Sequence, residues 1–237
     1  MPLFSPVPTS QVLPYLEQQA LFDRWDFTKP VLGNREVAQT DISMFYCPTR
    51  RRGVRGEDTQ RMFENWMSGG TDYGGCIGSA NSWWNTIEKG FSTPALMFGG
   101  DNYQGMNALG VLWPNGETQI GHIRDGTSNT LLVGELQRLW GPKDRFGREA
   151  YKSQDGWAVG GVATLFDTAC LPTSDVYPNP GGINNGFFES PGSDHPGGAN
   201  FGFADGSVRF ISENGDPRVF EALGSRAGGE VVAAGSF

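Results

Sequence analysis

Residues 199–211 read ANFGFADGSVRFI, two short runs of alternating side chains joined by Asp205-Gly206. An Asp-Gly pair between such runs is the preferred type I′ turn of a two-residue β-hairpin. Pairing the two strands about this turn places the large apolar side chains on one face: Phe201, Phe203, Val208 and Phe210. We predict that this face is core, because a slip of one residue would turn the whole set toward water.

Segments on both sides of the hairpin supply further elements. Asp125-Gly126 is a second turn pair, and it introduces a buried strand at 130–133 that Glu135 closes. Asp216-Pro217 is typical of a helix start, and Gly224 is expected at the C′ position of that helix. We also predict an N-terminal helix over 10–22, strands at 42–46, 71–85 and 157–159, and an edge strand at 228–232.

The composition is that of a turn-rich globular chain. Of the 237 residues, 35 are Gly, about twice the ordinary usage, and only 19% are charged. The glycines follow no three-residue period, which excludes a collagen-like chain, and 16 Phe and 7 Trp supply apolar surface that a core must cover. We expect an α+β class, with short strands, short helices near both ends, and long loop insertions at 86–118 and 172–191.

The net charge of -8 argues against two kinds of partner. A nucleic-acid binder needs a basic surface to neutralise phosphates, and anionic membranes attract lysine-rich surfaces, whereas this chain has few lysines. The basic run at 50–55 is interspersed with Gly and is interpreted as a solvated loop. No apolar run reaches the ~18 residues that a membrane-spanning helix needs.

The cysteines are Cys47, Cys76 and Cys170, an odd number that leaves at least one thiol unpaired. They show no CxxC spacing and have no histidine near them in the sequence, so a zinc site is not predicted. In an oxidising compartment the simplest arrangement is one disulfide and one free thiol. In a reducing compartment all three are small buried hydrophobic residues.

Four segments together resemble one known family. Residues 195–210 read HPGGANFGFADGSVRF, in which nine residues separate His195 from Asp205. This spacing is similar to the H-X9-DG signature of the DUF1559 pilin-like proteins. Three other segments precede it in the family's order. They are LPYLEQQAL at 13–21, FYCP at 45–48, and DGTSNT at 125–130 leading to Gly134-Glu135.

The resemblance implies a structural role. The family resembles type II secretion pseudopilins and type IV pilins, in which a cleaved, methylated prepilin helix precedes a globular domain. The present sequence shows no such helix, so we expect residues 1–237 to form one pilin-like α+β domain with an antiparallel sheet. The expected function is a non-enzymatic extracellular or cell-surface subunit that assembles with itself into a filament or surface layer. Membrane attachment is expected only through a prepilin helix.

Motif residues are interpreted as structural, namely His195, Asp205, Gly206, Asp125, Gly126, Asn129 and Glu135. A ring nitrogen of His195 can pin the hairpin entry by bonding a carboxylate or carbonyl group, and Asp205 can form the turn. The alternative for Asp205 is calcium, which hard oxygen ligands from loops suit, as in the C-terminal site of secretion pseudopilins. The predicted ligands are then Asp125, Asp194 and Asp205, and no other cofactor is expected.

Two other classes of function stay open. Trp83, Trp84 and Trp113 could form an aromatic platform for a surface polysaccharide, which would make the chain a carbohydrate-binding module. A hydrolase would need Ser128, His195 and Asp125 to form a triad, but Ser128 lacks the G-x-S-x-G elbow. Glu135 could be a catalytic carboxylate only if a second carboxylate faced it across a cleft.

Overall fold

A computed structural model describes residues 8–62, 67–79, 109–112, 117–139, 153–170, 179–187 and 190–232. A five-stranded mixed sheet forms its centre, in the order β3-β1-β2-β4-β5. The strands are β1 (Tyr73–Cys76), β2 (Leu131–Glu135), β3 (Leu165–Phe166), β4 (Gly198–Phe203) and β5 (Val208–Ser212). β1 and β3 run parallel, and the other neighbours run antiparallel. The α+β class is confirmed, and the sheet is mainly antiparallel.

The α-helices in the described ranges are short. They are α1 (Pro8–Gln11), α2 (Gln19–Arg24), α3 (Arg35–Ala38) and α4 (Pro217–Gly224). The predicted helix over 10–22 is interrupted, because Glu17 ends a 3-10 turn with a left-handed backbone φ of 58°. A left-handed residue ends the helical hydrogen-bond ladder, and α2 starts again two residues later. No helix in these ranges combines the length and apolar character that a bilayer span requires.

The hairpin is present, but its predicted register is wrong by one residue. Phe203 N donates to Ser207 O at 2.9 Å, which leaves a three-residue loop between β4 and β5. A type I′ turn would need positive φ at both Asp205 and Gly206, whereas the three-residue loop needs it only at Gly206, where φ is 84°. The strands therefore pair Phe201 with Arg209.

This register exchanges the faces of β5. Val208 and Phe210, predicted to be core, are 72% and 50% exposed, whereas Ile211 is buried. Phe201 and Phe203 are fully buried as predicted, and the Phe201 ring lies edge-on to the Phe166 and Phe220 rings. These residues belong to the sheet cluster, whose buried members are Cys76, Leu131, Leu136, Phe166, Ile183, Ala199, Phe201, Phe203, Ile211, Phe220 and Leu223.

A second apolar cluster surrounds Trp157, which is completely buried. Its ring lies 5.8 Å from that of Trp25 and 5.9 Å from that of Phe45, and its Nε1 donates to Thr40 O at 2.9 Å. The strands predicted at 42–46 and 157–159 are wrong, since Ser43–Phe45 is a 3-10 turn and 157–159 joins no strand. Apolar side chains from both ranges belong instead to this tryptophan cluster. Its buried members are Leu13, Leu21, Trp25, Val31, Val37, Ala38, Ile42, Phe45, Trp157, Ala158, Val159 and Ala163.

Buried ion pairs lie where a solvated loop was predicted. The side chain of Arg51 is fully buried, and its guanidinium contacts the carboxylates of Asp58 at 3.0 Å, Asp72 at 2.9 Å and Asp155 at 2.6 Å. Burial alone would lower the pKa of Arg51, but Asp155 and Asp72 raise it well above its usual range. Residues 50–55 form a loop, as predicted, but Arg51 is not solvated, because carboxylates distant in the sequence take the place of water around its charge.

Two further arginines connect this network to both apolar clusters. Arg50 Nη1 donates to the carbonyl of Leu136, in the sheet cluster, at 2.7 Å. Arg138 Nη2 donates to the carbonyl of Ala163, in the tryptophan cluster, at 2.9 Å. Arg138 also contacts Asp155 at 3.6 Å. The charged network therefore holds the two apolar clusters together.

Helix α4 begins as predicted and ends differently. The Asp216 carboxylate accepts from Arg218 N at 2.8 Å, as an N-cap does, and Pro217 occupies the first helical position. Gly224 was expected in a left-handed C′ conformation but is the last residue of the helix and has no positive φ. Its small size is required for another reason, because a Cβ atom there would lie 2.0 Å from Thr168 Oγ1.

Gly224→Ala is therefore expected to lower the free energy of unfolding by about 1–3 kcal/mol, the usual cost of overpacking a core. Urea unfolding followed by tryptophan fluorescence would measure the change. The matched control is Gly121→Ala, because an added Cβ at Gly121 meets no atom within 4 Å. Equal stability of the two variants would contradict the packing role of Gly224.

Candidate functional site

Three of the motif segments meet at one point of the structure. Cys47 follows the Ser43–Phe45 turn, Glu135 is the last residue of β2, and His195 lies three residues before β4. We call these three residues the Cys47–Glu135–His195 cluster. Each residue lies in a motif segment, but no local spacing in the sequence brings the three together, and their shared membership of one family pattern is the signal that connects them.

The cluster is compact and mostly enclosed. His195 Nε2 lies 3.1 Å from Glu135 Oε1 and 3.5 Å from Cys47 Sγ. One atom from each residue, the thiol sulfur, the ring nitrogen and a carboxylate oxygen, lies within 4.8 Å of the other two. The Glu135 side chain is 2% exposed, whereas that of His195 is 22% exposed and provides the contact with solvent. Among the described residues no other set brings three such atoms so close.

Neighbouring groups fix the orientation of each member. Asn200 donates twice to Glu135 Oε2, from its backbone N at 2.7 Å and from its Nδ2 at 3.1 Å. Asp72 Oδ2 accepts from Cys47 N at 3.0 Å, and Ser193 Oγ accepts from His195 N at 3.0 Å. Hydrogen bonds with neighbouring residues therefore hold all three members of the cluster in place.

The cluster favours a protonated thiol when nothing is bound. Burial raises the pKa of Cys47, and the Glu135 carboxylate raises it further, while hydrogen bonds with Thr49 act in the opposite direction. The Thr49 hydroxyl lies 2.9 Å from the sulfur. A ligand that replaced the thiol proton would therefore have to supply positive charge.

The structure contains no disulfide among the three cysteines, which are all buried. The single bridge that an oxidising compartment would allow is not formed in the structure. Burial raises the pKa of the Cys76 thiol to about 12. Cys47 lies beside His195, which is 148 residues away in the sequence, so the lack of a histidine near Cys47 along the chain does not hold in space.

The predicted calcium ligands have separate partners. Asp205 Oδ1 accepts from Ser207 N at 2.9 Å and from Ser207 Oγ at 2.7 Å, as a turn-forming aspartate does, and these bonds lower its pKa. Asp194 pairs with Arg50 at 3.2 Å. Asp125 accepts from the backbone N of Gly228 and of Gly229, at 2.7 and 3.0 Å. Within the described ranges these carboxylates form no three-ligand group.

The two Asp-Gly turns pack against each other. Asp205 N donates to Thr127 O at 3.1 Å, and Ala204 N donates to Thr130 O at 2.9 Å. Gly126 has a φ of 93°, which a side chain would strain, and Asn129 Nδ2 donates to Asp125 O at 3.2 Å. The expected edge strand at 228–232 is not formed, because Asp125 holds the backbone of this segment instead.

The other candidate sites of the sequence are not assembled in the described residues. His195 faces Cys47 and Glu135, while the Asp125 carboxylate bonds the C-terminal segment and Ser225. Ser128 lies in the 3-10 turn Thr127–Asn129, so the residues of the proposed triad do not form one. The glycan platform of Trp83, Trp84 and Trp113 lies outside the described residues and stays a prediction.

Comparison with known proteins agrees with the motifs. A family model described as "Protein of unknown function (DUF1559)" matches residues 5–218, a range that contains all four motif segments and the whole Cys47–Glu135–His195 cluster. No curated protein and no solved structure matches the chain. Since the match covers most of the sequence, the chain belongs to the DUF1559 family.

Proposed function

We propose that this protein is a non-enzymatic structural subunit of the pilin or pseudopilin kind, which assembles with copies of itself outside the cell or at its surface. The observation that carries the proposal is an apolar strip on the outer face of the sheet. The family membership supports it, because the motif residues that define the family are used in turns and in side-chain contacts that hold loops together.

The apolar strip consists of Val133, Val208 and Phe210. Val133 pairs with Gly202, and Gly202 pairs with Val208, so these positions lie side by side across β2, β4 and β5. Their exposed fractions are 42% for Val133, 72% for Val208 and 50% for Phe210. Gly202 has no side chain, and the Val133 side chain reaches over it, since a Cβ atom at Gly202 would lie 2.9 Å from Val133 Cγ2. Apolar residues that are exposed side by side form a contiguous patch, the kind of surface that marks interaction sites when it is large enough.

The position of the apolar strip favours another copy of the chain as its partner. β5 is the last strand of the sheet, and in the described ranges no other strand pairs with its outer edge. An open edge offers unpaired N–H and C=O groups that another strand can bond. A second copy could cover the strip and use this edge at the same time, which is the arrangement a repeating assembly needs.

Sedimentation velocity over a concentration series tests the proposal. We expect reversible self-association of the wild-type chain, and we expect Phe210→Asp to raise the dissociation constant at least about tenfold, because one buried Phe contributes about 1.5–3 kcal/mol. Tyr15→Asp is the matched control, since Tyr15 is 86% exposed but lies far from the strip in sequence and on no strand. A wild-type chain that stays monomeric at every concentration, or an equal effect of both variants, would overturn the proposal.

A further inference from the structure

We propose that the Cys47–Glu135–His195 cluster binds one divalent transition-metal ion of the zinc class. The proposal is independent of self-assembly. It rests on the convergence of a thiol, an imidazole and a carboxylate on one small volume. These groups are the ligands that zinc and cobalt take in proteins, and sulfur excludes calcium and magnesium as preferred ions.

The distances suit a tetrahedral ion. With metal bonds of about 2.3 Å to sulfur and about 2.0–2.1 Å to nitrogen and oxygen, the edges of the tetrahedron are roughly 3.5 Å from S to N and roughly 3.3 Å from N to O. The corresponding distances in the cluster are 3.5 Å between Cys47 Sγ and His195 Nε2, and 3.1 Å between His195 Nε2 and Glu135 Oε1. The third edge, from the sulfur to the carboxylate oxygen, is at most 4.8 Å and would be roughly 3.5 Å in a tetrahedron, so an ion would draw these two ligands together.

The contacts of the imidazole distinguish this site from a thiol hydrolase. In a cysteine hydrolase one ring nitrogen faces the thiol, and a third group orients the ring through the other nitrogen. Here Cys47 and Glu135 both face Nε2 of His195. Nε2 is closer to the carboxylate than to the thiol, so it is not placed to act as the base of the thiol alone. Its lone pair can instead point at an ion that both partners also contact.

The surrounding bonds leave the right atoms free. Glu135 Oε2 accepts both hydrogen bonds from Asn200, and Oε1 is the oxygen directed toward the imidazole. Asp72 fixes the backbone of Cys47. Such outer contacts orient metal ligands and are worth about 10–100-fold in affinity.

Charge balance also favours a divalent ion. A thiolate and a carboxylate carry two negative charges, which a 2+ ion neutralises, and binding would release the proton of the Cys47 thiol. Three protein ligands leave a fourth position, and the partial exposure of His195 would let water occupy it.

The test is a titration of reduced, chelator-treated full-length protein with Co²⁺, followed by displacement with Zn²⁺. We expect one equivalent to bind, with the intense visible bands of tetrahedral cobalt and a near-ultraviolet thiolate-to-cobalt charge-transfer band. Bound Zn²⁺ should also raise the thermal midpoint, because an ion that binds only the folded state stabilises it.

Matched variants locate the ion. Cys47→Ser should abolish the charge-transfer band and His195→Gln should lower the affinity at least tenfold, whereas Cys170→Ser and His122→Gln should change neither. A folded wild-type protein that binds no cobalt, or a charge-transfer band that survives Cys47→Ser, would overturn the proposal. The wild-type titration alone decides the matter if a cluster variant fails to fold.

Discussion

Arg51→Met is expected to lower the free energy of unfolding by about 3–5 kcal/mol, because removing one partner of a buried ion pair leaves the others uncompensated. Arg51 is the centre of the network and contacts Asp58, Asp72 and Asp155. Without it, two fully buried carboxylates, those of Asp72 and Asp155, depend mainly on Arg50 and Arg138. Chemical unfolding followed by circular dichroism would measure the loss.

The adjacent Arg52 supplies the control. It is the same residue type, one position along the chain, but it is exposed. Arg52→Met should change the free energy of unfolding by no more than about 0.5 kcal/mol, as surface substitutions usually do. If Arg51→Met cost as little as Arg52→Met, residues 50–55 would behave as the solvated loop that the sequence suggested, and the buried network would be wrong.

Phe201→Ala is expected to cost about 3–5 kcal/mol, the usual range for removing a large aromatic side chain from a core. Phe201 is fully buried, and its ring contacts those of Phe166 and Phe220. The substitution removes these contacts and leaves a cavity between the sheet and α4. Thermal and urea unfolding of the variant would give the change in stability.

The comparison with Phe210→Ala tests the register of the hairpin. Phe210 is 50% exposed on the opposite face, so we expect its removal to cost less than about 1 kcal/mol. A two-residue turn would have placed Phe201 and Phe210 on the same buried face, and both substitutions would then be severe. Severe losses of stability in both variants would therefore support the two-residue turn and contradict the register in the structure.

The sequence was sufficient to predict the hairpin, β2 and the start of α4, because each depends on residues that are adjacent in the chain. It was insufficient for the hairpin register, which depends on whether Asp205 accepts a positive φ. In the structure Asp205 avoids that conformation and bonds Ser207 instead. A two-residue and a three-residue loop are both compatible with this sequence, and backbone strain decides between them.

The candidate site was harder to predict, because its members are distant in the chain. Glu135 and His195 are 60 residues apart, and Cys47 and His195 are 148 apart. The sequence analysis expected a ring nitrogen of His195 to bond a carboxylate or a carbonyl group. His195 Nε2 lies 3.1 Å from the Glu135 carboxylate, and no local spacing indicates that partner. The buried arginines were missed for the same reason, since Arg51 and Asp155 are separated by 104 residues.

The ion network that joins the two apolar clusters has a consequence for how this molecule comes apart. If the region around Trp157 melted while the sheet stayed intact, Asp155 would be lost from the network, and Arg51 and Arg138 would stay in a dry interior with one carboxylate fewer. Such a half-melted species would be very high in free energy, so heating should produce a single all-or-none transition, seen at one temperature by tryptophan emission and by the far-ultraviolet signal alike.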